Sequence, residues 1–159
     1  MGIDRGCGGG YSEVMPKALH TTNVRDTFIA VAPDCKAETG LVPEPRGGKP
    51  TVATLQYAML AAAPYTLTSD DVIFATSAAG RALAAGAADA EREQARAAFF
   101  SKGQACMRAS PLTKSHGWGV HADGEGRLAL VARESARYRQ LTGADSQLAQ
   151  TQAMRSRKA

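Results

Sequence analysis

Aromatic side chains are scarce in this chain, at 6% with a single tryptophan, and its 159 residues include only three cysteines and three histidines. Cys7, Cys35 and Cys106 are an odd, widely spaced set. That argues against a disulfide framework and for a reducing, cytoplasmic compartment. Together with His20, His116 and His121 they offer no C-x2-C or H-x3-H spacing, so neither a metal nor a cofactor is expected. Long apolar runs are also missing. The most apolar stretch, Val52 to Ala63, carries Thr54, Gln56 and Tyr57 and stops at Pro64, well short of the ~20 apolar residues of a membrane span. No membrane partner is expected, and the N-terminus has no apolar core of a secretory signal.

What remains is ordinary globular material, with 44% hydrophobic and 21% charged residues. The length suits one domain. The formal charge of +4 is unevenly placed, at −2 over residues 1–100 and +6 over residues 101–159. Such an asymmetry suits an anionic partner for the C-terminal third, or simply a solubilising basic face. Residues 1–17, with Gly6 and Gly8 to Gly10, read as a leader outside the fold. Residues 18–145 read as a single domain and 146–159 as a basic tail.

Thr27 to Ala32 alternates short, β-branched and apolar residues before Pro33-Asp34, which predicts a strand. Residues 36–50 hold three prolines and three glycines and predict a loop. Helices are predicted over 51–63, 69–83, 90–101 and 134–142. The first has Thr51 as its cap and a buried stripe of Val52, Leu55, Met59 and Ala62. In the second, Thr68 and Asp71 form a capping box, although Val72 to Ala75 also fits a buried strand. Asp89 caps the third, whose buried stripe is Ala95, Ala98 and Phe99. Two apolar runs around Ala122-Asp123-Gly124-Glu125-Gly126 predict a β-hairpin over 117–132. The element order is α+β. It predicts a small antiparallel sheet, made of strand 27–32 and the 117–132 hairpin, with the helices on one face.

The densest polar segment is 101–121, between a helix and the hairpin. Lys102, Arg108, Ser110, Lys114, Trp118 and His121 are its candidate ligand-binding residues, because loops on a rigid scaffold collect binding groups. Lys102, Arg108 and Lys114 suit a small anionic ligand if they converge, and are separate solvated charges if they do not. Cys106 with His121 or His116 suits a thiolate–imidazole pair, but no known cysteine-hydrolase signature surrounds it and a buried core thiol fits better. Trp118 is expected to be more than half buried as an anchor of the hairpin.

His20-Thr21-Thr22-Asn23, Thr51-Val52-Ala53 with Leu55-Gln56, Phe99 to Gln104, Cys106 with Arg108 to Leu112, Gly117-Trp118-Gly119 with His121, and Met154-Arg155-Ser156 together resemble a family of mostly bacterial proteins. The domain shared by that family has no assigned function. The resemblance covers roughly residues 18–157 and implies no activity, cofactor or catalytic residue. Ser115-His116 stands where it leads one to expect a basic residue followed by an aromatic one.

Three functional readings therefore stand side by side. One is an α+β protein binding a small anion through 102–121. Another is an enzyme with a Cys106/His121 pocket at the same place. The third, less favoured because no aromatics interleave the tail, is nucleic-acid binding through the basic C-terminal third. The oligomeric state is left open. Deleting residues 1–17 is expected to leave the thermal midpoint unchanged within error; a clear drop would place the leader against the domain.

Overall fold

The computed structural model describes residues 19–155. The expected leader, residues 1–17, and the last four residues of the expected tail lie outside them. Strand β1 (Thr27–Ala30) is central. Side chains alternate across a strand, so Phe28 and Ile29 point to opposite faces, and both are buried. Each face therefore needs its own cover.

Strands β2 (Trp118–Ala122) and β3 (Leu128–Ala132) form the expected hairpin, and β2 pairs antiparallel with β1 with Phe28 opposite His121. The hairpin turn is closed by Asp123, whose Oδ1 accepts the N–H groups of Glu125 and Arg127, each at 2.9 Å. A fourth strand, β4 (Ala149–Gln152), lies parallel to β1, so the sheet is mixed, in the order β3-β2-β1-β4. This corrects the purely antiparallel sheet expected from the sequence. Ala-Gln-Thr-Gln has no apolar alternation, so from sequence the segment reads as tail. Backbone pairing with β1 holds it there, and the Arg108 side chain fastens it through Nε to Gln152 O at 2.7 Å.

Among the described residues the helices are α1 (Val52–Ala62), α2 (Ser69–Thr76), α3 (Ala78–Ala82), α4 (Asp89–Phe99), α5 (Pro111–Ser115) and α6 (Ala136–Thr142), with one 3-10 turn at Met107–Ala109. Leu60 of α1, Val72 of α2 and Met107 close over Ile29, Val120 and Leu128. On the other face, Leu141 and Tyr138 of α6 close over Phe28 and Val131. Helices thus flank both faces rather than one. Phe28 and Tyr138 meet edge to face with centroids 5.1 Å apart. Gly119 lies beneath them, where a Cβ would come within 2.5 Å of Phe28. No helix among the described residues is long and apolar enough to cross a membrane.

Three local readings change. The helix predicted over 69–83 breaks at Ser77, which is extended, donates from Oγ to Phe74 O at 2.6 Å and caps α3 by accepting from Gly80 N. The capping box of Thr68 and Asp71 is present, which settles the start of α2 as a helix. In α4 the cap position is Ala88, not Asp89; no residue of that helix is fully buried, and Phe100 just beyond it is. In α1 the buried side chains are Ala53, Gln56 and Leu60, whereas Val52 is exposed. The apolar stripe lost to a register that brings an amide inward, because buried hydroxyls wait there to receive it.

Two attachments shape the rest. The Asp70 carboxylate accepts from Thr22 N at 2.6 Å, Thr22 Oγ1 at 2.7 Å and Thr21 Oγ1 at 2.7 Å. In return, Asn23 Oδ1 accepts from Asp70 N at 2.8 Å. The start of the domain is thereby latched to α2. At the hairpin, the long loop before α1 is held by Trp118, whose Nε1 donates to Leu41 O at 2.8 Å and whose ring lies 5.5 Å from that of Tyr57. Gly117 has φ +77°, and a Cβ there would meet Thr39 O at 2.2 Å, so only glycine lets the loop lie this close. Trp118 is more than half buried, but it anchors this loop as much as the hairpin.

Asp70→Ala leaves buried donors without an acceptor and should cost about 3 kcal/mol in urea unfolding; a loss under about 1 kcal/mol would remove the latch from the account. Trp118→Ala should cost about 3–5 kcal/mol by circular dichroism melts, through lost packing. A change typical of surface positions would show that the loop holds itself.

Candidate functional site

The residues of the 101–121 segment have separate local settings. Lys102 is exposed just beyond α4, and Lys114 is half-buried in the last turn of α5. Arg108 is exposed and committed to β4, its side chain to Gln152 O and its own carbonyl accepting Met154 N at 2.8 Å. Each of the three cations thus has a separate setting. His116 places Nδ1 3.0 Å from Pro111 O and works within its own turn.

Cys106 and His121 are separated by the sheet. His121 lies opposite Phe28 in the β1–β2 register and shares its face, the one covered by α6. Cys106 precedes Met107, which packs on the other face beneath α1 and α2. The imidazole is therefore no base for this thiol, since a nucleophile and its base need hydrogen-bond contact. The Cys106 sulfur instead accepts from Arg108 N at 3.5 Å and caps the 3-10 turn. Among the described residues, no group of three His, Cys, Asp or Glu is placed to hold a metal ion.

Ser110 is different, and it leads to the site. Its Oγ accepts from Leu112 N at 3.1 Å, which starts α5, and donates to Gln56 Oε1 at 2.5 Å. Gln56 Nε2 donates to Thr76 Oγ1 at 3.3 Å, and Thr76 Oγ1 donates to Val72 O at 2.8 Å. Ser110, Gln56 and Thr76 are all buried. The chain links α1, α2 and the start of α5, and it lies at the floor of a cleft of about 260 Å³ between these elements and residues 104–106. Val52, Ile73, Phe99 and Pro111 supply apolar walls, Cys106 and Gln104 line one side, and no charged side chain lines the cleft. Gln104 is held by donating from Nε2 to Phe99 O at 2.7 Å. An apolar pocket with a few fixed amide and hydroxyl groups is the usual form of a small-molecule site.

Gln56 and Thr76 were not among the residues singled out from the sequence. The signal was present in Gln56, a polar residue inside the most apolar stretch of the chain, yet its partners Thr76 and Ser110 lie 20 and 54 residues away.

His121 has its own surroundings. Its Nδ1 is 2.7 Å from the Tyr65 phenol oxygen, which also accepts from Arg137 Nη2 at 3.3 Å. Burial pushes the imidazole below its ordinary value and Arg137 adds to this, against the opposing pull of Asp123 and Asp26. Tyr65 and Arg137 come from the α1–α2 connector and from α6, and neither is marked in the sequence.

Comparison with known proteins gives a family and nothing further. No curated protein and no solved structure matches the chain. Residues 19–159 match the family of unknown function DUF6157, in agreement with the resemblance carried by the motifs from His20 to Ser156. The latch of Thr21, Thr22 and Asn23 on Asp70, the floor residues Gln56 and Ser110, and the loop anchor Trp118 are the physical uses this chain makes of those motifs, and the chain belongs to DUF6157.

Proposed function

We propose that this protein binds a small, uncharged molecule in the cleft floored by Ser110, Gln56 and Thr76. One observation carries the reading: a buried chain of one amide and two hydroxyls faces a cavity whose walls are apolar and whose lining is uncharged. Polar groups fixed in this way reward a ligand that offers its own amide, carbonyl or hydroxyl, because the buried groups spend little further order on binding it. The apolar walls take the remaining surface of such a ligand.

This keeps ligand binding in the region first marked by the sequence but changes the ligand's charge. An anion needs cations or free backbone amides around it, and the cleft lining has neither lysine nor arginine. Lys102, Arg108 and Lys114 are better read as separate surface charges. The enzyme reading loses support because His121 lies on the opposite face of the sheet from Cys106, and His116 is bonded within its own turn to Pro111 O. Cys106 sits at the cleft as a thiol, free like Cys35, which suits a reducing cytoplasmic setting.

A thermal-shift screen of small amides, lactams and diols, with inorganic phosphate as a separate arm, tests the reading. A neutral compound should raise the melting midpoint, with about 2.7 kcal/mol of stabilisation at a hundredfold excess over its Kd. Ala105→Trp, which fills the cleft from its exposed rim, should abolish that gain. If the gain persists in Ala105→Trp, or if phosphate alone stabilises the chain, the cleft is not the binding site.

A further inference from the structure

Asp26 and Tyr65 are the non-glycine residues with φ in the left-handed region among the described residues, at +48° and +56°. For a bulky tyrosine this conformation costs free energy, and it persists only where surrounding contacts hold it. The contacts at Tyr65 are identifiable. Its backbone N–H donates to Leu128 O at 2.8 Å, and Leu67 O accepts from Leu128 N at 2.8 Å, so the connector between α1 and α2 runs along the start of β3. Its phenol meets His121 at 2.7 Å, with the two rings edge to face and their centroids 5.4 Å apart.

Arginine has only donors, so the phenol oxygen accepts from Arg137; with the imidazole neutral and its proton on Nε2, the phenol proton has Nδ1 as its acceptor at 2.7 Å. A protonated imidazole carries a hydrogen on Nδ1 and can no longer accept. The phenol then faces two cationic donors, and its own proton loses its acceptor. A second positive charge also appears beside Arg137.

We propose that the Tyr65–His121 contact is a proton-operated latch, closed with the imidazole neutral and opened by its protonation, which frees the strained α1–α2 connector from the sheet. Four charged or titratable groups face the imidazole. Tyr65 comes from the connector and Arg137 from α6, while Asp123 in the hairpin turn and Asp26 before β1 are the carboxylates that moderate the repulsion from Arg137. The cross-strand neighbours Phe28 and Ala129 are apolar.

The sign follows from burial and Arg137, which both lower the imidazole's proton affinity in the folded chain. The unfolded chain then binds more protons in the window below the ordinary histidine value of about 6.5. The latch is therefore fully closed above that pH and is lost as pH falls through the folded value. The connector joins α1 to α2, which wall the cleft, so opening the latch would also change the cleft. That consequence rests on the ligand-binding reading; the latch itself does not.

Amide exchange in the full-length chain, corrected for intrinsic rates and read alongside the His121 ring resonances, tests this. The Tyr65 amide should exchange about tenfold faster at pH 5 than at pH 7.5, as a contact that opens locally on protonation requires. Its midpoint should coincide with the titration of the His121 ring. In His121→Gln this pH dependence should vanish. In Tyr65→Phe, which keeps the ring packing, His121 should titrate at higher pH because the neutral form has lost its donor. The proposal is overturned if the Tyr65 amide keeps the same pH dependence in His121→Gln, or if Tyr65→Phe leaves the His121 titration unmoved. Neither readout involves a cleft ligand, so failure here and failure of the ligand-binding reading can be told apart.

Discussion

The fold depends on one strand whose two faces are both apolar. Phe28 and Ile29 are adjacent in the sequence and buried on opposite sides of β1. Burying each removes apolar surface worth about 1.5–3 kcal/mol from water, and neither face can be left open. The side holding Ile29 is closed by α1, α2 and the Met107 turn, and the side holding Phe28 by α6. Every other placement follows from these two layers. Tyr138 of α6 uses its ring on Phe28 and its hydroxyl to accept Val31 N at 2.9 Å, which ends the strand and ties it to its cover.

This division by the sheet also separates the polar chemistry. On the α1–α2 side, buried polar groups are neutral and paired with each other: Ser110 with Gln56, and Gln56 with Thr76. The exception, Asp70, is held by three donors from Thr21 and Thr22, as an enclosed carboxylate requires. On the α6 side, the polar groups are titratable and half-exposed, with Tyr65, His121 and Arg137 in one hydrogen-bonded line. A neutral cleft and a proton-sensitive contact thus occupy opposite faces of one small sheet. The α1–α2 connector joins the two helices that line the cleft and reaches His121 through Tyr65.

Much of the architecture was legible in the sequence. Alternation over Thr27 to Ala32, the Asp-Gly turn of the hairpin and the Thr68 capping box each rest on interactions within a few residues, and each is present. The buried face of α1 was misread because a period-based stripe counts apolar residues, whereas the real face is fixed by an amide seeking distant hydroxyls. Strand β4 was missed because its residues carry no apolar signal, and a parallel partner 122 residues away supplies its hydrogen bonds.

The sequence by itself determined the local features: the caps that start α1 and α2, where the hairpin turns, the absence of an apolar membrane-spanning run, and the family to which the chain belongs. Those depend on propensity, capping and composition, which act over one or two turns of chain. Only the tertiary structure decided which side chains meet. It separated Cys106 from His121, bonded Arg108 to β4, and drew Gln56, Thr76 and Ser110 together under a cleft. The reason is that a strand's two faces are one residue apart in sequence yet lie on opposite sides of a packed layer. Polar residues scattered along 101–121 were therefore sorted to different sides by a sheet that their own segment does not contain until its last four residues, Trp118 to His121.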